Sequence, residues 1–142
     1  MLAFLAYVMD KFRWVCALVI LLGAGCVAVS GMNKMKSLDR AAIGYREAIR
    51  WSDFETAYRF TKNSQVENDL QAFKKLDQIK VTSYEVKQTI TAEDRSQVRQ
   101  IVEIKYYNTD DMVERTLRDH QVWEYDTMGR NWVLKGNLPD FK

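Results

Sequence analysis

Leu76-Asp77-Gln78-Ile79-Lys80-Val81-Thr82-Ser83-Tyr84-Glu85-Val86 decides the fold, because the spacing of apolar residues changes within it. Up to Leu76 the apolar positions recur three and four residues apart, as on one face of a helix. From Ile79 they recur every second residue, as on one face of a strand. Ile79 and Val81 fall in one phase and Tyr84 and Val86 in the other, so the spacing predicts a β-bulge near Thr82-Ser83. The first strand then extends to Thr91.

Outward from this switch the rest of the chain divides cleanly. Downstream, Ala92-Glu93-Asp94-Arg95 reads as a turn, and Val98, Gln100, Val102, Ile104 and Tyr106 line one face of a second strand. Asn108-Thr109-Asp110-Asp111 is a second turn. A third strand follows from about Met112 to Tyr125, and Asp126 to Asn131 turns it into a fourth carrying Trp132 and Leu134. Upstream, Leu38, Ala41, Ala42, Tyr45, Ala48 and Ile49 form a helical stripe, with Ser37 placed to cap its start. Ser52-Asp53-Phe54-Glu55 has the spacing of a capping box and starts a second helix. Val66, Leu70, Phe73 and Leu76 suggest a third. Two to three helices followed by four strands on hairpin-length turns predict an α+β fold, with the helices packed on one face of an antiparallel sheet.

Ahead of this domain lies the one strongly apolar segment, Trp14 to Val29, which is free of charge and preceded by Lys11 and Arg13. That order directs the following chain outward across a membrane. The segment closes on Leu21-Leu22-Gly23-Ala24-Gly25-Cys26, which resembles a bacterial lipobox, although Gly23 stands where leucine is usual. The resemblance implies cleavage before Cys26 and diacylglycerol on its thiol, with palmitate among the acyl chains. Two other readings stay open. Sixteen helical residues span ~24 Å, short of the about 30 Å of a bilayer core, yet an uncleaved anchor with flanking side chains at the interface is feasible. An ordinary cleaved signal with an incidental Cys26 is the third. Met1 to Val8 is an odd prelude to any signal, and Met9 is a possible true start. The expected organisation is a signal over 1–25, the lipidated cysteine and a short tether over 26–36, and the folded domain over 37–142.

Both cysteines, Cys16 and Cys26, lie in the apolar segment, so no disulfide or thiolate site is available to the domain. Setting aside Lys11, Arg13 and Asp10 leaves 19 basic against 18 acidic residues, a balance that implies no nucleic-acid partner. No cofactor motif and no metal-ligand spacing is present. His120, the only histidine, falls on the expected solvent face of the third strand.

Ala48-Ile49-Arg50-Trp51-Ser52-Asp53-Phe54-Glu55-Thr56-Ala57 resembles the junction between the first two helices of nuclear-transport-factor-2-like (cystatin-like) domains. With the lipobox, the stretch 79–86 and the ending Trp132 to Pro139, the whole resembles bacterial envelope lipoproteins carrying such a domain. The resemblance implies a location and a fold. With Val27 rather than aspartate after Cys26, it favours the outer membrane facing the periplasm, with the inner membrane as the other possibility. Some members of the superfamily are pocket enzymes such as ketosteroid isomerase, which directs attention to the third strand. If Leu117, Trp123 and Tyr125 point inward, strict alternation turns Arg115, Asp119 and Gln121 inward as well. They would then line a polar pocket, with Asp119 as a base and Arg115 as its electrostatic partner. A bulge between Asp119 and Val122, or a sheet end outrunning its helical cover, would instead put them in water. The expectation is a non-catalytic, membrane-tethered protein that binds an envelope protein or a small apolar ligand. The alternatives are a small isomerase- or hydrolase-type enzyme using Asp119, and an accessory subunit of an inner-membrane complex held by an uncleaved helix. The aromatics Trp51, Tyr58, Tyr106, Trp123, Tyr125 and Trp132 are expected to fill the core between helices and sheet.

Overall fold

A computed structural model describes residues 25–62 and 70–142. The apolar segment up to Ala24, with Cys16, and the helical position Val66 lie outside them. Helices α1 (Gly25–Arg50), α2 (Phe54–Tyr58) and α3 (Leu70–Leu76) precede strands β1 (Ile79–Thr91), β2 (Gln97–Asn108), β3 (Glu114–Asp126) and β4 (Asn131–Lys135). The strands form one antiparallel sheet in the order β1-β2-β3-β4. Among the described residues no helix is long and apolar enough to cross a membrane.

The chain divides between Lys34 and Met35 into two compact units, and Met35–Lys142 is the one that carries the sheet. Val27 to Lys36, expected as a tether, is helical, and Ser37 lies inside α1 rather than capping it. The stretch carries neither proline nor a run of β-branched residues, so nothing in it interrupts helix propagation. Leu38, Tyr45, Ala48 and Ile49 are buried, with Met35, Ala41 and Ala42 packed beside them, while Ile43 on the far side is exposed. This is the expected stripe. Gly44 lets the Phe60 ring approach the helix closely, since a Cβ there would meet Phe60 Cζ at 2.8 Å.

The break after α1 differs from a capping box. Ser52 N–H donates to Ile49 O (2.9 Å) and Asp53 N–H to Ala48 O (2.8 Å), closing the helix with the paired bonds of a Schellman motif. Ser52 takes the left-handed position with φ 57°, where glycine is usual. Its hydroxyl compensates by accepting from Val81 N–H at 3.2 Å, which ties the junction to β1. Asp53 is therefore the cap of α2, accepting from Thr56 N–H at 3.0 Å. Glu55 binds Arg59 at 2.9 Å instead of reaching back.

In the sheet, β1 shifts register between Val81 and Ser83, where the change of phase predicted a bulge, and again between Val86 and Gln88. The β2–β3 ladder runs unbroken from Gln97↔Glu124 to Tyr107↔Glu114. Val98, Val102, Ile104, Tyr106, Trp123, Trp132 and Leu134 supply the sheet side of the core. Phe60 O accepts from Leu134 N–H (2.7 Å) and Leu134 O from Lys62 N–H (2.8 Å), so the segment after α2 covers the edge of β4. The C-terminal Phe141 packs on Phe54 and Tyr106, with ring centroids 5.2 and 5.0 Å away. Trp51 departs from the expected core set. It is 81% exposed, in the turn that closes α1 just before Ser52.

Candidate functional site

The unbroken ladder keeps β3 in strict alternation, so Arg115, Leu117, Asp119, Gln121, Trp123 and Tyr125 share the face that carries the core. A bulge at Asp119 is thereby excluded. Trp123 is fully buried and Gln121 is 2% exposed, which for a neutral amide requires partners. It has two. Tyr84 Oη on β1 donates to Gln121 Oε1 at 3.1 Å, and Gln121 Nε2 donates to Asp119 Oδ2 at 2.8 Å. Phenol, amide and carboxyl thus form a chain across the inner face.

Burial pushes the Asp119 carboxyl above the ordinary aspartate range, against the opposing effect of the Gln121 hydrogen bond and of His120. Burial is also the main reason the Tyr84 and Tyr45 hydroxyls are raised, with the negative charge of Asp119 adding to both. Tyr45 comes from α1, where it meets Trp123 edge-on at 5.7 Å and 86°. Among the described residues, Tyr45 Oη and Trp123 Nε1 are buried without a hydrogen-bond partner. Two donors, one carboxyl and one bridging amide therefore lie on the same apolar face. Asp119 is the group there that can exchange a proton.

Of the three expected pocket residues, the structure brings Asp119 and Gln121 together and leaves Arg115 apart. The Arg115 guanidinium grips Asp111 in the β2–β3 turn, with Nη1 3.1 Å from Oδ1, and also donates to Val113 O at 3.0 Å. That grip holds the Asp111 carboxyl down to about 2. An acidic turn four residues upstream offered the arginine a nearer partner than Asp119. Tyr45 and Tyr84 were missed as site residues. Both sit at apolar positions of their stripes, and only their hydroxyls, aimed at β3, distinguish them from filler. His120 is exposed on the opposite face, as alternation predicts. Among the described residues no group of His, Cys, Asp and Glu could hold a metal ion.

No protein-family model, curated protein or solved structure matches the chain significantly.

Proposed function

We propose that the protein is a lipid-anchored envelope protein of bacteria, whose domain is of the nuclear-transport-factor-2-like (cystatin-like) kind and binds a small apolar ligand or an envelope protein. The observation that carries the reading is Cys26. It stands directly after Ala24-Gly25 at the end of a basic-then-apolar leader, and no cysteine follows it in the chain. Helices packed on an antiparallel sheet agree with the domain type. Val27 after Cys26 favours the outer membrane facing the periplasm. Replacing Cys26 by serine tests the anchor. Loss of the acyl mass and retention of full-length precursor in the inner membrane are expected. Unchanged mass and fractionation would refute lipidation and leave the ordinary cleaved signal and the uncleaved anchor, the latter that of an accessory subunit in an inner-membrane complex.

A second reading has its own observation: the inward Asp119 hydrogen-bonded by Gln121. A carboxyl raised by burial is poised to take a proton from a carbon acid or a water, and Tyr45 Oη is an available donor for a developing oxyanion. On this reading Asp119 is the base of an isomerase- or hydrolase-type pocket, without Arg115. Native mass spectrometry of the extracted protein tests for the pocket that this reading needs. A bound small molecule released by both Asp119→Asn and Tyr45→Phe supports a pocket built on these residues, and release by neither removes it.

A further inference from the structure

The unit that carries the sheet begins at Met35, nine residues after Cys26. Nine residues span at most ~32 Å when fully extended. An anchor at Cys26 therefore keeps the start of this unit close to a bilayer, and an uncleaved Trp14–Val29 anchor keeps it closer. Arg40 of α1 shares an open groove of about 450 Å³ with Arg59 after α2 and Arg130 of the β3–β4 turn, and Ala41, Phe60 and Trp132 also line it.

All three arginines are exposed. Arg40 donates to Lys36 O at 3.4 Å, and among the described residues neither it nor Arg130 is in an ion pair. Arg59 pairs with Glu55 at 2.9 Å, but both side chains are largely exposed and water screens the pair. In the adjoining groove, which shares Arg59 and Asn131, the acidic groups are engaged. Glu124 is met by Lys62 at 3.8 Å and Lys135 at 3.2 Å, and Asp126 accepts from Met128 and Gly129 N–H at 3.0 and 3.1 Å. Two residues before Arg130, in the same turn, Met128 is 95% exposed. A soluble anion would engage the guanidinium groups and leave Met128 in water. A bilayer interface takes both, since anionic headgroups attract the cations and the acyl boundary accepts an apolar side chain.

We propose that this side of the domain rests on the bilayer that holds its anchor, with Arg40, Arg59 and Arg130 on the phosphates of anionic phospholipids and Met128 entering the interface beside them. The inference rests on the membrane-anchor reading given above. The β1–β2 turn lies at the same end of the sheet but carries Glu93 and Asp94 with Arg95, so it stays outside the contact. Charges act on a surface only within about 10 Å at moderate salt, so the short reach from the anchor is what lets so small a patch engage.

Amide hydrogen exchange of the full chain, reconstituted in phosphatidylcholine vesicles with or without phosphatidylglycerol, tests this. Flotation with the neutral vesicles reports the anchor, and the difference between anionic and neutral vesicles reports the surface, so the two readings fail separately. Exchange in the β3–β4 turn should slow several-fold on the anionic vesicles, and added salt should reverse the effect. Arg40→Gln combined with Arg130→Gly should abolish it. Arg130 has φ 53°, which glycine adopts freely, so that change should not lower the melting temperature. Met128→Ser should reduce the effect with every charge retained. Inorganic phosphate added to the detergent-extracted chain should not reproduce it. Equal exchange on both vesicle types overturns the proposal. So does slowing that survives either variant, or slowing by phosphate alone, which would make the groove a site for a soluble anion.

Discussion

Gln121 holds Asp119 from two residues away on the same strand, Nε2 to Oδ2 at 2.8 Å, while its own carbonyl takes the Tyr84 hydroxyl. The amide turns a row of core positions into a polar chain that ends on a carboxyl. Because that carboxyl is shielded from water, its neutral form is favoured in the folded state.

The pH dependence follows with a definite sign. A raised carboxyl binds more protons folded than unfolded between its two pKa values, so its effect on stability worsens as pH rises through that window. The contribution is best below the ordinary aspartate range and is lost above the folded value. Asp119→Asn removes the charge while Gln121 Nε2 keeps an oxygen to donate to. The variant should melt higher than wild type at neutral pH and equal to it only below the ordinary aspartate range. Thermal melts across that range check this, and an unchanged difference between the two proteins would contradict it.

Tyr45 carries a buried hydroxyl with no partner among the described residues. An unmet buried polar group costs ~1–3 kcal/mol, so Tyr45→Phe should leave stability unchanged or raise it, with the ring contacts to Trp123 and Phe60 retained. Chemical denaturation measures this. A clear loss of stability would mean that the hydroxyl is bonded in solution.

At the α1–α2 junction two side chains share the work one motif was expected to do. Asp53→Ala should cost about 1 kcal/mol by removing the cap of α2. Ser52→Ala keeps the strained φ and leaves Val81 N–H without its acceptor, so it should also destabilise, and hydrogen exchange at Val81 should accelerate. Ser52→Gly relieves the backbone strain but loses the same bond, so exchange at Val81 should rise even where the melting temperature does not fall.

Which parts were legible from sequence follows from what each part depends on. The stripe on α1, the strand limits and the bulge after Val81 are written in apolar spacing, because burial of one face is what fixes them. The junction was misread because Ser52-x-x-Glu55 satisfies a capping box by pattern alone. A serine in the left-handed position is permitted only because Val81, 29 residues away in sequence, supplies a bond for its hydroxyl. Asp119 and Gln121 were found by alternation. Their partners Tyr45 and Tyr84 were not, since the meeting of α1, β1 and β3 is a tertiary fact that no local period records. Arg115 was misassigned because alternation sets the face of a side chain and not the direction in which a long one reaches.

The Arg115–Asp111 pair gives a direct check on that last point. Arg115→Gln should let the Asp111 carboxyl rise from about 2 toward its ordinary value, since the guanidinium is the largest cause of the depression. A depressed carboxyl supports the fold above its unfolded pKa and loses that support as pH falls through its folded value. Wild type and variant should therefore diverge least at strongly acid pH. Carbon-13 titration of the aspartate carboxyls measures the shift, and an Asp119 resonance unmoved by the substitution would confirm that Arg115 does not act on it.

Trp123 tests the register on which the inner face depends. It is fully buried, packed edge-on against Tyr45, and opposed by Val98 on β2 and Leu134 on β4. Truncation to alanine should cost ~3–5 kcal/mol, enough to unfold a marginal domain at ambient temperature. Phenylalanine should cost clearly less, because it keeps a ring beside Tyr45 and forfeits no hydrogen bond among the described residues, the indole N–H having none. Asp119→Asn in the Trp123→Phe background should retain its neutral-pH stabilisation if Gln121 stays in place. Equal losses for alanine and phenylalanine would mean that the indole nitrogen is bonded after all, and negligible losses for both would mean that β3 presents its other face to α1.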